Sequence, residues 1–206
     1  MFQRQINLDL VYFTKKALNI GRLVVITGPM FSGKTSRLIE LLERERFAGR
    51  KVVLFKPEID RRYSESSVKT HRGIELDATV VRTSAAGVKV MGRVASDYSV
   101  IGVDEAQFWD ENSGLEEALD KIASLKKIVY VSTLNKDYKG RPFGISENLL
   151  AYADEIYSLT AVCTKCGEEA VFSQRMIDGV EESGPRIVIG GKEAYQPRCR
   201  NCFVRG

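Results

Sequence analysis

Short apolar runs alternate with stretches of helical periodicity through most of the chain. The runs are rich in β-branched residues, as buried strands are, and they span residues 23–26, 51–55, 78–81, 98–103 and 127–132. Helices are predicted between and after them, over residues 35–48, 114–125 and 146–153. Because strands that alternate with helices form βαβ units, we expect an α/β fold, a mostly parallel sheet with helices on both faces.

The alternation ends near Leu159, and short segments, glycines and paired cysteines follow from Ala161 onward. This change predicts an α/β domain over residues 21–159 and a small second domain over residues 160–206. Residues 1–20 are expected to form an N-terminal arm. The arm has no long apolar run, and no other stretch approaches the length of a membrane span, so we expect a cytoplasmic protein.

The composition is that of a globular protein with a buried core, since 44% of the residues are apolar and 28% are charged. The 206 residues include 31 basic and 27 acidic side chains, which gives a formal net charge of +4. This small excess suits a phosphate-bearing small molecule. It is too weak to argue for a nucleic-acid partner.

Residues 28–35 match the G-x-x-x-x-G-K-T pattern of a phosphate-binding loop. They are Gly28, Pro29, Met30, Phe31, Ser32, Gly33, Lys34 and Thr35. Glycines let such a backbone turn so that its N–H groups point at phosphate oxygens, and the following helix directs its positive N-terminus to the same place. Lys34 would reach the β- and γ-phosphates of ATP, and the Thr35 hydroxyl would bind Mg²⁺. A glycine-rich turn that matches by chance is the alternative, but the position between a strand and a helix favours a P-loop NTPase fold of RecA-like type.

Asp104 and Glu105 follow the predicted strand over residues 98–103. An apolar strand that ends in an acid is the usual second half of a P-loop site, where the aspartate holds Mg²⁺. Neighbouring residues of a strand point to opposite sides. We therefore expect Asp104 to face the metal and Glu105 to face a substrate hydroxyl and accept its proton. The alternative is that both acids end the strand in solvent.

Cys163, Cys166, Cys199 and Cys202 form two C-x-x-C pairs and are all the cysteines of the chain. Two such pairs predict a closed, structural Zn²⁺ site in a zinc-ribbon-like module. The alternatives fit less well, because a redox motif would not come as a matched pair and disulfides do not suit a reducing cytosol. The metal would anchor both ends of residues 167–198, which we expect to form a lid loop that loses less entropy when it closes.

Further motifs accompany the phosphate loop and the cysteines, and the ordered set is more specific than any one of them. They are Asp60-Arg61-Arg62-Tyr63, Asp104-Glu105-Ala106-Gln107-Phe108, Arg141-Pro142-Phe143-Gly144, Ala161-Val162-Cys163, and Ile189-Gly190-Gly191 with Tyr195. Over about residues 21–202 the chain resembles the type II thymidine kinases. The resemblance implies transfer of the γ-phosphate of ATP to the 5′-hydroxyl of thymidine, and also of deoxyuridine, with Mg²⁺ and structural Zn²⁺. It further implies a homotetramer that is inhibited by its end product, dTTP.

The resemblance also implies roles for individual residues. Glu105 would be the general base on the 5′-hydroxyl. Asp60, Arg62, Asp104 and Gln107 would belong to the nucleotide and metal site. The base pocket, and the loop that closes over the thymine with its main chain around residues 188–189, would include Met30, Phe108, Leu134, Tyr138, Phe143, Ser173, Val188, Ile189 and Tyr195. The alternatives are core packing for the apolar residues and an exposed ion pair for Asp60 and Arg62.

The chain departs from the family pattern after the strand at residues 127–132. The family usually has Gly-Leu-Asp there, whereas this chain has Thr133-Leu134-Asn135. The threonine adds bulk and the asparagine removes a charge, and Trp109 stands where a smaller aromatic residue is usual. These changes bear on nucleoside preference more than on catalysis.

Two other functions compete with a thymidine kinase. A P-loop ATPase or switch would release phosphate instead of making dTMP. A zinc-ribbon protein that binds nucleic acid would present a basic, aromatic face around the cysteines. Here the four glutamates of residues 168–182 offset the three arginines of residues 198–205.

Overall fold

The computed structural model describes residues 20–59, 67–69, 75–177, 180–181 and 194–205. In chain order the strands are β1 (Arg22–Thr27), β2 (Val52–Pro57), β3 (Ser67–Lys69), β4 (Glu75–Asp77), β5 (Thr79–Val81), β6 (Val100–Val103), β7 (Ile128–Thr133), β8 (Glu155–Ser158), β9 (Ala161–Val162), β10 (Glu169–Ala170), β11 (Phe172–Ile177), β12 (Val180–Glu181) and β13 (Tyr195–Arg198). Six of them form the central sheet in the order β5-β2-β6-β7-β1-β8, and every neighbouring pair is parallel. The predicted α/β class is confirmed.

Helices cover both faces of this sheet, as the sequence predicted. In the described part of the chain they are α1 (Lys34–Phe47), α2 (Ala85–Ala95), α3 (Leu115–Ser124) and α4 (Ser146–Tyr152). Successive residues of β1 point to opposite faces of the sheet. Val24 lies in the core cluster that includes Leu42 of α1. Val25 lies in the cluster on the other face, with Leu119 of α3 and Leu149 of α4. None of these helices is long and apolar enough to span a bilayer.

Helix α2 is absent from the sequence prediction. Gly87 and Gly92 lower its intrinsic helix propensity, and its valines are stiff at χ1 in a helix. Its buried side carries Val88, Met91 and Ala95, which pack on the core. Tertiary packing therefore sustains a helix that local propensity does not indicate. Strand β8 also escaped prediction, because it is a mostly exposed edge strand with no apolar pattern.

The other strands pair antiparallel: β3 with β4, β9 with β10, and β11 with both β12 and β13. Strands β10 to β13 lie within residues 167–198, which the sequence predicted to be a lid loop. The ends of that interval are therefore sheet rather than loop. Residues 182–193, the middle of the predicted lid, lie outside the described residues.

Buried polar contacts attach the C-terminal half of α1 to the sheet. The Glu45 carboxylate, 7% exposed, accepts a hydrogen bond from Tyr130 Oη at 2.9 Å and is paired with Arg50. Arg22, at the start of β1, donates to the same phenol oxygen at 3.1 Å. Burial raises the pKa of Tyr130, so this phenol keeps the proton that it donates to Glu45.

Tyr130→Phe should lower the free energy of unfolding by about 1–3 kcal/mol, because it removes the hydrogen bond that the buried carboxylate accepts. Urea denaturation measures the change. Tyr152→Phe is the matched control: this phenol is 40% exposed, and its loss should cost less than about 0.5 kcal/mol. Equal stability of the two variants would show that the Glu45 contact contributes nothing.

Candidate active site

The turn between β1 and α1 packs tightly against the end of β8. Gly28 has a φ of 150°, and a Cβ there would lie 2.3 Å from the carbonyl oxygen of Leu159. Gly33 has a φ of 84° immediately before the first helical residue. Both glycines of the sequence motif thus take conformations that other residues rarely adopt. The backbone curls at the N-terminus of a 14-residue helix, as a phosphate-binding loop requires.

Lys34 lies inside this turn and not in solvent. Its side chain is 8% exposed, and its Nζ donates to the carbonyl oxygen of Pro29 at 2.7 Å. The Ser32 hydroxyl donates to the same oxygen at 2.8 Å. The Met30 N–H donates to Ser173 Oγ at 2.9 Å, which joins the turn to β11. The turn therefore holds the lysine through its own backbone and is itself attached to β11.

Asp104 follows β6 and lies next to α1. Both carboxylate oxygens are 3.3 Å from Thr35 Oγ1, and the carboxylate also accepts a hydrogen bond from Ser132 of β7. The residue is 3% exposed. A threonine hydroxyl beside a buried aspartate is the pair that holds Mg²⁺ in P-loop proteins.

The carboxylates of Asp104 and Glu105 have different partners, as expected, but strand alternation is not the cause. Strand β6 has already ended at Val103, and Glu105 takes a left-handed backbone conformation with φ 52° and ψ 45°. Its N–H donates to Ser132 Oγ at 3.2 Å, and its carboxylate accepts a hydrogen bond from Gln107 Nε2. A left-handed turn, rather than strand alternation, thus gives the two acids different partners. Such strained backbone at a non-glycine residue is common at functional sites.

Gln107 is fixed on both sides of its amide. Its Oε1 accepts from the Leu134 N–H at 2.9 Å and lies 3.3 Å from Thr133 Oγ1, so its Nε2 faces Glu105. The side chain is 2% exposed, and these contacts are with protein groups. The Thr133 hydroxyl also lies 2.6 Å from Ser146 Oγ. The bulk that threonine adds at this position is therefore accommodated and hydrogen-bonded.

The residues predicted for a base pocket come from several separate segments. Leu134, Tyr138 and Phe143 lie in the loop between β7 and α4, and each is less than 10% exposed. Phe108 meets Phe143 edge to face, with the ring centroids 6.4 Å apart. The remaining predicted members among the described residues are Met30, Ser173 and Tyr195, of which Met30 and Ser173 are hydrogen-bonded to each other. Asp60, Arg62, Val188 and Ile189 were also predicted for the site, and they lie outside the described residues.

Arg175 links two of these residues and was missed from the sequence. It is 1% exposed, and its guanidinium lies over the Tyr138 ring and donates from Nη2 to Tyr195 Oη at 3.0 Å. Residues two apart in a strand point to the same side, so Arg175 shares a side of β11 with Ser173, which was predicted for the site. Strand β11 was not predicted from the sequence, so this relation could not identify Arg175.

The four cysteine sulfurs lie within 4.8 Å of one another, and this cluster could hold a metal ion. Cys163 and Cys199 are buried, Cys202 is half-buried and Cys166 is exposed. Burial opposes ionisation of Cys163, yet hydrogen bonds from the backbone of Cys199, Lys165 and Cys166 lower its pKa to about 6. The predicted grouping of the two C-x-x-C pairs is confirmed.

A glycine turn after β1, an acid after β6 and the parallel sheet between helices define a P-loop nucleotide-binding enzyme. The sequence model of one family, thymidine kinase, matches residues 21–203. The chain belongs to the thymidine kinase family, and it is therefore a nucleoside kinase.

Individual relatives agree with this membership. The chain is 48% identical to a thymidine kinase of Thermococcus kodakarensis over 184 residues, which cover 87% of this chain and 92% of the relative. It is 44% identical to a thymidine kinase of Pyrobaculum aerophilum, over 88% of this chain and 98% of the relative. For a thymidine kinase of Bacteroides fragilis the identity is 40%, over 90% of this chain and 88% of the relative.

Proposed function

We propose that this enzyme transfers the γ-phosphate of ATP, with Mg²⁺, to the 5′-hydroxyl of thymidine to give dTMP, and that deoxyuridine is a second acceptor. The observation that carries the proposal is the pair of adjacent acids with different partners. Asp104 lies beside Thr35 of the phosphate loop, and Glu105 is held by Gln107, next to Phe108 in the chain. We assign the first acid to the metal and the second to the acceptor.

On the nucleotide side, the backbone N–H groups of residues 28–35 would bind the phosphates of ATP. Lys34 would move from the Pro29 carbonyl oxygen to the β- and γ-phosphates, where its charge stabilises the transferring group. Thr35 and Asp104 would hold Mg²⁺, which neutralises charge on the phosphate oxygens. The resemblance adds Asp60 and Arg62 to this side.

On the acceptor side, Glu105 would accept the proton of the 5′-hydroxyl as that oxygen attacks the γ-phosphorus, and ADP would leave with the bridging oxygen of the broken β–γ bond. A general base must be oriented toward the proton that it takes. Gln107 would orient the Glu105 carboxylate, because its own amide is fixed by Leu134 and Thr133. We therefore assign Gln107 to the support of Glu105 and not to the nucleotide itself.

The thymine ring would lie among apolar and aromatic side chains, with polar main-chain groups at its edge. The side chains proposed for this pocket are Met30, Phe108, Leu134, Tyr138, Phe143, Ser173 and Tyr195, with Val188 and Ile189 supplying main chain. Small-molecule sites generally combine a mostly apolar wall with a few fixed polar groups. The apolar and aromatic residues of the β7–α4 loop, which are buried, would supply such a wall.

The remaining proposals come from the family resemblance. They are a cytoplasmic homotetramer that is inhibited by dTTP, serves DNA synthesis through nucleotide salvage and has no nucleic-acid partner. Family membership does not favour the rival hypotheses of a P-loop ATPase or a zinc-ribbon nucleic-acid binder.

Product analysis tests the main proposal directly. The protein is incubated with MgATP and a panel of nucleosides, and phosphorylated products are separated by chromatography. We expect dTMP from thymidine, a smaller yield from deoxyuridine, and little product from purine nucleosides. Release of inorganic phosphate and ADP without any nucleoside monophosphate would establish an ATPase instead.

Glu105→Gln should lower kcat by about 10²–10⁴-fold, because glutamine keeps the shape of the side chain but cannot accept a proton. ATP binding, measured by calorimetry, should change little. Some turnover should survive, since much of the catalysis of phosphoryl transfer lies in positioning and charge stabilisation.

Asp104→Asn is the matched comparison, because it makes the same chemical change one residue earlier. It should raise the Mg²⁺ concentration needed for half-maximal activity, whereas Glu105→Gln should leave that concentration unchanged. Wild-type turnover of Glu105→Gln at saturating substrates would assign the base to another residue.

We also propose that Cys163, Cys166, Cys199 and Cys202 bind one structural Zn²⁺ per chain. Four thiolates at the spacing of two C-x-x-C pairs suit a closed tetrahedral zinc site. Elemental analysis of purified protein should find about one zinc per chain, and Cys199→Ser should lower both the zinc content and the melting temperature. Protein that is folded, active and free of thiophilic metal would contradict this assignment.

A further inference from the structure

Arg175 is among the largest fully buried side chains in the described part of the protein, at 1% exposure. An arginine is seldom buried to this extent unless neighbouring groups engage its charge. It lies in β11, and it has no task in the phosphoryl-transfer steps proposed above. Its contacts therefore call for a separate explanation.

The guanidinium contacts two aromatic rings from different parts of the chain. Its Cζ lies 3.7 Å from the centroid of the Tyr138 ring, which is stacking distance for a cation on an aromatic face. Its Nη2 donates to Tyr195 Oη at 3.0 Å, and its Cζ is 5.6 Å from the centroid of that ring. Arg175 and Tyr195 also face each other directly in the β11–β13 ladder. One cation thus connects the β7–α4 loop to β13.

The same side of β11 also contacts the phosphate loop. Ser173 is two residues before Arg175, and its Oγ accepts a hydrogen bond from the Met30 N–H at 2.9 Å. Gln174, between them, points to the other side, where its Oε1 accepts from the Val204 N–H at 2.8 Å. Arg175 is therefore on the side of β11 that faces the proposed site.

We propose that Arg175 is a positioning residue for the nucleoside, which holds Tyr138 and Tyr195 in the orientation that binds the base and so sets the KM for thymidine. The inference rests on the proposed function, since both tyrosines belong to the proposed base pocket. Rings that are already ordered lose less entropy when a ligand binds. A planar guanidinium stacks on one ring while its rigid fork directs an N–H at the hydroxyl of the other, and an ammonium has neither the plane nor the fixed fork.

Three variants test this role. Arg175→Met keeps an unbranched side chain about as long as the stem of the arginine and removes the charge and the donors. Arg175→Lys keeps the charge and loses the planar fork. Gln174→Met is the matched control, because it removes a buried polar side chain and one hydrogen bond from the other side of the same strand.

Steady-state kinetics with thymidine and ATP varied separately gives the decisive readout. Arg175→Met should raise the KM for thymidine by about 5- to 100-fold, because two tyrosine side chains would then have to be ordered when the nucleoside binds. Arg175→Lys should give an intermediate value, and Gln174→Met the wild-type value. In all three variants the KM for ATP should stay within about twofold of wild type. The thymidine Kd from calorimetry without ATP should follow the same order.

A merely structural role makes a different prediction. Loss of folded protein lowers the apparent kcat through the active fraction and leaves KM unchanged. An unchanged KM for thymidine in Arg175→Met, or an equal rise of the KM values for both substrates, would overturn the proposal.

Tyr195→Phe supplies a test that needs no change at Arg175, since it removes only the oxygen that accepts the hydrogen bond. It should raise the KM for thymidine, and adding Arg175→Met to it should have a smaller effect than in the wild type, because both changes break one contact. Additive effects would show that Arg175 does not act through Tyr195. Wild-type protein that makes no dTMP would contradict the proposed function, whereas active wild type with a normal Arg175→Met would contradict only this inference.

Discussion

The candidate site depends on one constraint, that parallel strands bring their carboxyl ends to the same edge of a sheet. Strands β1 and β7 end level with each other, with Thr27 opposite Thr133, and β6 ends beside β7. The phosphate turn, the two acids and the loop with the aromatic residues each leave the sheet from these ends. A shift of one strand would separate Thr35 from Asp104, so the hydrogen-bonded register of the sheet also fixes the spacing of the chemical groups.

At this edge, the end of β7 supplies polar contacts to both halves of the site. Ser132 is hydrogen-bonded to the carboxylate of Asp104 and to the backbone of Glu105, and Thr133 lies against Gln107 and Ser146. Burying such groups without partners would cost about 1–3 kcal/mol each. Because these groups are partnered, the network favours a single arrangement, in which Ser132 contacts both acids and Thr133 contacts the glutamine that holds Glu105.

The sequence predicted those parts of the molecule that are encoded locally. The phosphate turn and the cysteine pairs are short motifs whose spacing carries their chemistry, and five strands of the sheet follow from apolar runs. Helix α2 was missed because its glycines and valines argue against a helix until Met91 is seen in the core. The contact by which Gln107 holds Glu105 could not be predicted, because the Gln107 amide is itself fixed by the backbone N–H of Leu134, 27 residues away. Arg175 likewise became visible only when β11 and β13 were paired.

The hydrogen bond between the Met30 N–H and Ser173 Oγ limits how the chain can change in length. Six residues lie between Cys166 of the cysteine cluster and Ser173, and they include β10 and the start of β11. One inserted residue in β11 ahead of Ser173 would reverse the two sides of that strand. Gln174 would then turn toward the phosphate loop, and Ser173 would turn toward the C-terminal residues. Length variation in this family should therefore concentrate away from this stretch, and relatives that differ here should differ by even numbers of residues or by a compensating bulge.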